Sequence, residues 1–316
     1  WSSDVCSSDL EKRLQVILLL YSMKYFVSLE KDAYHDWQAE LLIESFNNIA
    51  LIDDLYMTTN VTEKNRYPHL LNLLKHKNLF TFDDVGEMKG FRPINELYQL
   101  TTLIMDKAVS FPLVVMKPHV VIKEKIEKIV EINEARAFVY GVDPYFTFDN
   151  ATKNCENFWE CCEQEESYYK ENWFNLGSVF LMIGLPDWIV NKVIKVAESL
   201  IIKQISDKKP VWKDTCKLAW IISMCDLKKH IEIIYDQTLS SIMNDGKNTV
   251  FIDYEHGLPP DFNKLMFKYE PPACLSFGDP IENMSKLIST PNAHFISKLA
   301  LLMLRKRKLN ATSLKK

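Results

Sequence analysis

Apolar residues recur three and four positions apart along most of this chain, the spacing of helices with one buried face. Residues 36–58 place Leu41, Ile43, Phe46, Ile49, Ala50 and Ile52 on one broad apolar face. Residues 14–29, 94–109, 120–140, 173–183, 186–205, 210–225, 227–244 and 295–307 read the same way. Pro68, Pro93, Pro186 and Pro210 stand at or near expected helix starts, where a missing amide and a fixed φ suit the first turn. Eight glycines in 316 residues is few against a usual ~7%. A chain so short of glycine has little material for phosphate-cradling turns, which disfavours P-loop and Rossmann folds. The expected fold class is all-α: a helical bundle followed by antiparallel helix pairs, up to a short α-solenoid.

Residues 141–152 hold Gly141, Asp143-Pro144 and Asp149-Asn150, turn chemistry that marks a boundary. It divides an N-terminal helical domain (11–140) from a C-terminal helical-repeat-like domain (153–308). Within the latter, 176–184 and 218–227 are similar apolar stretches 42 residues apart, inside the ~40–47 span of HEAT and armadillo repeats. Thr249-Val250-Phe251-Ile252 could form one short strand. Residues 1–10 repeat Ser-Ser-Asp around Val5-Cys6 and read as a non-native leader.

The formal net charge is −4, yet Arg305, Lys306, Arg307, Lys308, Lys315 and Lys316 close the chain with no acid among them. Arg305, Lys306, Arg307 and Lys308, with the basic tail 309–316, are therefore the candidate partner-binding residues, for a protein or for RNA. Outside the leader there are six cysteines, Cys155, Cys161, Cys162, Cys216, Cys225 and Cys274, with no CxxC or zinc spacing. Cys216 and Cys225 lie in apolar stretches where a free thiol behaves as a small hydrophobe. This favours a reducing, cytoplasmic or nuclear setting, and leaves secretion open. The apolar run 16–21 is too short to span a bilayer, so no membrane span is expected.

Familiar catalytic patterns are missing from the sequence: it has neither HExxH nor GxSxG. His119 is one of seven scattered histidines. Residues 155–171 suggest an amphipathic helix with an acidic side, or a redox pair at Cys161-Cys162. The sharpest motif is Leu79-Phe80-Thr81-Phe82-Asp83-Asp84-Val85-Gly86-Glu87. It resembles the first acidic motif of class I terpene synthases. That resemblance implies Mg²⁺ held by Asp83, Asp84 and Glu87 and bound to a prenyl diphosphate. Asn157, Cys161 and Glu165 repeat the spacing of that family's second motif, with cysteine replacing its hydroxyl. Read without the resemblance, Asp83 or Asp84 caps a helix N-terminus. The second half is similar in its helix pairs to helical-repeat RNA-binding proteins of the FAST-kinase type. Two functions are expected. The first is a non-enzymatic interaction scaffold without a cofactor. The alternative is a Mg²⁺-dependent, terpene-synthase-like lyase or transferase.

Overall fold

A seven-stranded sheet occupies the centre of the molecule, so the all-α expectation is wrong. The computed structural model describes residues 23–30, 33–60, 78–126, 136–245, 247–255, 280–287 and 289–313. In chain order these form β1 (Lys24–Leu29), α1 (Ala33–Asn48), β2 (Leu55–Thr59), β3 (Leu79–Thr81), α2 (Val85–Met88), α3 (Asn95–Met105) and β4 (Leu113–Met116). Then come β5 (Val120–Ile122), β6 (Ala137–Val142), α4 (Phe148–Asn154), α5 (Glu166–Asn172), β7 (Leu176–Ile183), α6 (Trp188–Ser206) and α7 (Thr215–Leu227). The remaining elements are β8 (Glu232–Tyr235), β9 (Ser240–Ile242), β10 (Phe251–Asp253), α8 (Pro280–Met284) and α9 (Pro291–Ser313).

The large sheet has the order β3-β2-β1-β4-β7-β6-β8. Neighbours are parallel from β3 to β4 and again between β6 and β8, and β7 runs antiparallel to both strands beside it. A second sheet, β5-β10-β9, lies alongside.

Alternate residues of each central strand feed opposite layers. Phe26, Val115, Phe138, Phe180 and Met182 pack with α3, α6 and α7. Tyr25, Val27, Val114, Met116, Val139, Val179 and Leu181 pack on the other face with Leu42 and Phe46 of α1. A third cluster joins Trp37 and Leu41 of α1 to Ile252, Tyr254 and the inner face of α9.

Burial on both faces explains the misreading. A strand covered on two sides is apolar at every position, and such a run shows no period of two. Leu-Gly-Ser-Val-Phe-Leu-Met-Ile, expected as a helix, is β7. The expected helix 36–58 ends at Asn48 and is followed by β2, 120–140 begins with β5 and ends in β6, and 227–244 holds β8 and β9. The internal echo pairs a strand with a helix, and no helical repeat follows from it. The helices expected at 94–109, 186–205, 210–225 and 295–307 correspond to α3, α6, α7 and α9. Thr249–Ile252 overlaps β10. The leader 1–10, the start of the 14–29 segment, Pro68, Cys274, Lys315 and Lys316 lie outside the described residues. Among the described residues no helix is long and apolar enough to cross a membrane.

Candidate active site at the carboxyl ends of the central strands

The chain builds β1, β2 and β3 outward in one direction, then returns to add β4 on the other side of β1. Strand order reverses between β1 and β4. In open α/β sheets ligands bind beyond the carboxyl ends of the strands at such a point; here α1, after β1, and β5, after β4, pack on the same face. One amide organises the β1–β2 side. Ser28 and Thr58, from β1 and β2, both donate to Gln99 Oε1 of α3, at 2.8 and 2.6 Å. Gln99 Nε2 donates in turn to Asn60 Oδ1 at 2.9 Å, and Asn60 Nδ2 donates to the Asp83 carbonyl at 2.8 Å.

On the β4 side, the residues Lys117-Pro118-His119 separate β4 from β5. Lys117 forms an ion pair with Glu96 at the start of α3. Burial acts to lower the Lys117 pKa, but the Glu96 carboxylate outweighs it and holds the ammonium above its ordinary value. Lys217 of α7 pairs with Asp143 at 2.7 Å and lies 4.4 Å from the centre of the Phe146 ring. Glu96, Lys117, Gly177, Ser178, Lys217 and Trp220 border one space. Its volume is about 10 Å³, room for about one water. Trp220 is 2% exposed, and its indole Nε1 has no hydrogen-bond partner among the described residues. Buried donors are nearly always paired, so an unpaired one calls for a ligand or a water.

The start of β7 supplies a hydroxyl. Ser178 Oγ donates to Asp253 Oδ2 at 2.6 Å and lies 3.2 Å from His119 Nε2. His119 Nδ1 lies 3.1 Å from Glu255 Oε2, and its Nε2 lies 3.7 Å from Asp253 Oδ2. Beside the serine, Gly177 is required by space: a Cβ there would stand 2.6 Å from the Gly141 carbonyl oxygen on β6.

The motif Asp83, Asp84 and Glu87 has a structural part. Asp84 Oδ1 accepts from the Glu87 amide at 2.9 Å, capping α2, and from Asn95 Nδ2 at 2.8 Å. Arg92 lies 3.5 Å from both Asp84 and Glu87, and Asp83 and Glu87 are exposed. Gly86 is fixed by its neighbours, since a Cβ would meet the Arg92 backbone at 2.5 Å. Among the described residues no group of three or more His, Cys, Asp and Glu is placed to hold a metal ion. At the other end, Lys306 pairs with Glu44 at 2.7 Å and Arg307 pairs with Glu40, both on α1. Arg305 and Lys308 are exposed on α9. The Cys161 and Cys162 thiols both donate to the Phe158 carbonyl, at 3.0 and 3.1 Å. Lys117, His119, Ser178 and Lys217 were not singled out by sequence as a site. The available signal was the charged triplet Lys117-Pro118-His119 interrupting two apolar runs.

No protein-family profile matches the chain, and no curated protein sequence does. Solved structures with a related arrangement of elements include mouse xyloside xylosyltransferase 1 in its apo form (12% identity, TM-score 0.41, covering 75% of this chain and 99% of that one). A glycosyltransferase involved in glycosylation of the major capsid of PBCV-1 is similar at 9% identity and TM-score 0.39, covering 77% and 98%. The apo-form glycosyltransferase GlyE of Streptococcus pneumoniae TIGR4 is similar at 10% identity and TM-score 0.43, covering 90% of this chain and 64% of its own. At these scores the likeness is one of loose arrangement; the α/β class follows from this chain's own hydrogen-bonded strands. The expected non-enzymatic scaffold has no footing in this fold. That expectation rested on stacked helix pairs, whose place the sheet takes. The terpene-synthase-like reading rested on an all-α chain and on Asp83, Asp84 and Glu87. It fails with the all-α fold and with the cap at Asp84.

Proposed function

We propose that this chain is a transferase that takes a phosphorylated donor in the space between the carboxyl end of β4 and the start of β7. One observation carries the reading. Two lysines from different elements, Lys117 and Lys217, border a single small space between the carboxyl end of β4 and the start of β7, and Trp220, whose buried Nε1 has no partner among the described residues, borders it too. Each lysine is held by a carboxylate, Glu96 or Asp143. With both pairs made the space admits about one water, so a donor enters by displacing at least one carboxylate. An anionic phosphate then forms the charge-assisted bonds the carboxylate gives up, and a phosphate oxygen can accept from Trp220 Nε1. Sugar transfer, the reaction named for the three solved structures above, is one member of this class. A nucleoside-diphosphate sugar is therefore the first donor to try.

Calorimetric titration and thermal unfolding with pyrophosphate, a nucleoside diphosphate and a nucleoside-diphosphate sugar test the reading. A ligand at about a hundred times its Kd stabilises the folded state by ~2.7 kcal/mol, a rise of several degrees for a chain of this size. Lys117→Met and Lys217→Met should each weaken binding by about tenfold or more while leaving the unliganded protein folded. A folded wild type that binds none of the three at millimolar concentration would overturn the reading.

A further inference from the structure

Ser178, His119 and Glu255 are brought together from three separate stretches of chain: the start of β7, the segment after β4 and the segment after β10. The distances run in a line. Ser178 Oγ is 3.2 Å from His119 Nε2, and His119 Nδ1 is 3.1 Å from Glu255 Oε2. A carboxylate on Nδ1 selects the tautomer that carries its proton there and leaves the Nε2 lone pair facing the serine. That is the order nucleophile, base and orienting group, which is recognised by geometry and not by sequence position. In the resting structure the serine proton points to Asp253 Oδ2. Turning the hydroxyl about its Cβ–Oγ bond redirects that proton to His119 without moving a heavy atom. Ser178 and Lys117 border the same space, and once Glu96 is displaced the Lys117 ammonium can meet an oxyanion forming on a reacting phosphoryl group.

We propose that Ser178 is a nucleophile toward phosphoryl centres, with His119 as its base and Glu255 as the residue that positions His119. In the step, Ser178 Oγ forms a bond to phosphorus as the bond from phosphorus to the leaving group breaks. The serine proton passes to His119 Nε2, which returns it to the leaving oxygen. This inference rests on that space being the reacting site of the proposed transferase. It is tested without any donor, so a failure of donor binding and a failure of the nucleophile are separate results.

The probe is a fluorophosphonate, which reports the same step with fluoride leaving, the adduct being located by peptide mass spectrometry. One adduct on Ser178 is expected in the wild type and none in Ser178→Ala. General base catalysis contributes on the order of 10²–10⁴-fold, so His119→Gln should label about a hundred times more slowly. Added imidazole should restore part of the rate in His119→Gly, which a merely structural histidine would not allow. Glu255→Gln should slow labelling at an unchanged unfolding midpoint, and Glu255→Asp should recover some of the loss. The proposal is overturned if folded wild type stays unlabelled, if the adduct sits elsewhere, or if His119→Gln labels at the wild-type rate. Should the His119 variants fail to fold, the Glu255 pair decides: equal rates in wild type, Gln and Asp overturn it.

Discussion

Gly177→Ala sets two physical effects of opposite sign against each other. In a strand, replacing glycine by alanine reduces the freedom of the unfolded chain and should stabilise by about 0.5–1 kcal/mol. At Gly177 the new Cβ would lie 2.6 Å from the Gly141 carbonyl oxygen and 3.0 Å from its carbon. Carbon and carbonyl oxygen ordinarily approach to about 3.3 Å, so the strands must part there by about 0.7 Å. Both obstructing atoms are backbone of β6, and no side chain can rotate to make room. Overpacking of this kind costs about 1–3 kcal/mol. The net expectation is a loss of about 1–2 kcal/mol, or a midpoint lower by about 1.5–3 °C by the usual entropy per residue for a chain of this size. Differential scanning calorimetry of wild type and variant reads this directly. An equal or higher midpoint would refute the argument, because the entropic gain would then exceed a contact that the geometry says must be relieved.

Asp226 is held by Tyr169 Oη at 2.8 Å and Lys192 at 3.2 Å with 1% of its side chain exposed. Burial pushes its pKa up against both partners. An acid with a raised folded pKa binds its proton more tightly folded than unfolded, so it adds stability as pH falls from neutral toward the ordinary carboxylate range. Asp226→Asn should lose that increment, seen as a flatter dependence of the unfolding midpoint on pH. Asp84 is the reverse case: burial acts upward, but Asn95, the Glu87 amide and Arg92 together lower its pKa. Asp84→Ala should cost about 1 kcal/mol at neutral pH, and urea titrations should show the difference from wild type shrinking as pH falls through the depressed folded value. Gln99→Leu leaves Ser28, Thr58 and Asn60 without the amide that joins them. Chemical denaturation should show a loss of about 2 kcal/mol or more.

How much of this could be read in the sequence depended on which faces of an element are covered. α6 is legible because Lys192, Lys195 and Glu198 recur at helical spacing opposite its buried positions. β7 is not, because Val179 and Phe180 are both buried, one in each layer, and the run loses the alternation that marks a half-exposed strand. The scarcity of glycine told against a phosphate-binding loop of the usual kind but not against an α/β sheet, whose candidate site here is bordered by side chains. Asp84 as a helix cap was legible from Asp-x-x-Glu at 84–87. His119, Ser178 and Glu255 were not, since their proximity exists only after β4, β7 and β10 have taken their places. The basic residues of α9 were seen correctly as a cluster, but that Lys306 and Arg307 face Glu44 and Glu40, 262 and 267 positions away, is a fact of tertiary structure.

The reversed direction of β7 bears on how this site could change over time. In a parallel neighbour, the residues beside the end of β4 would belong to the end of a strand, next to a loop free to lengthen or shorten. Because β7 runs the other way, Ser178 belongs to its beginning and is locked in the ladder, with its carbonyl accepting from the Lys117 amide at 3.1 Å. A slip of one residue would exchange the faces of the whole strand and take the Ser178 hydroxyl away from His119 and Asp253. Insertions between α5 and β7 can therefore be absorbed only outside the strand. The serine is kept or lost by point substitution, and not by drift in loop length.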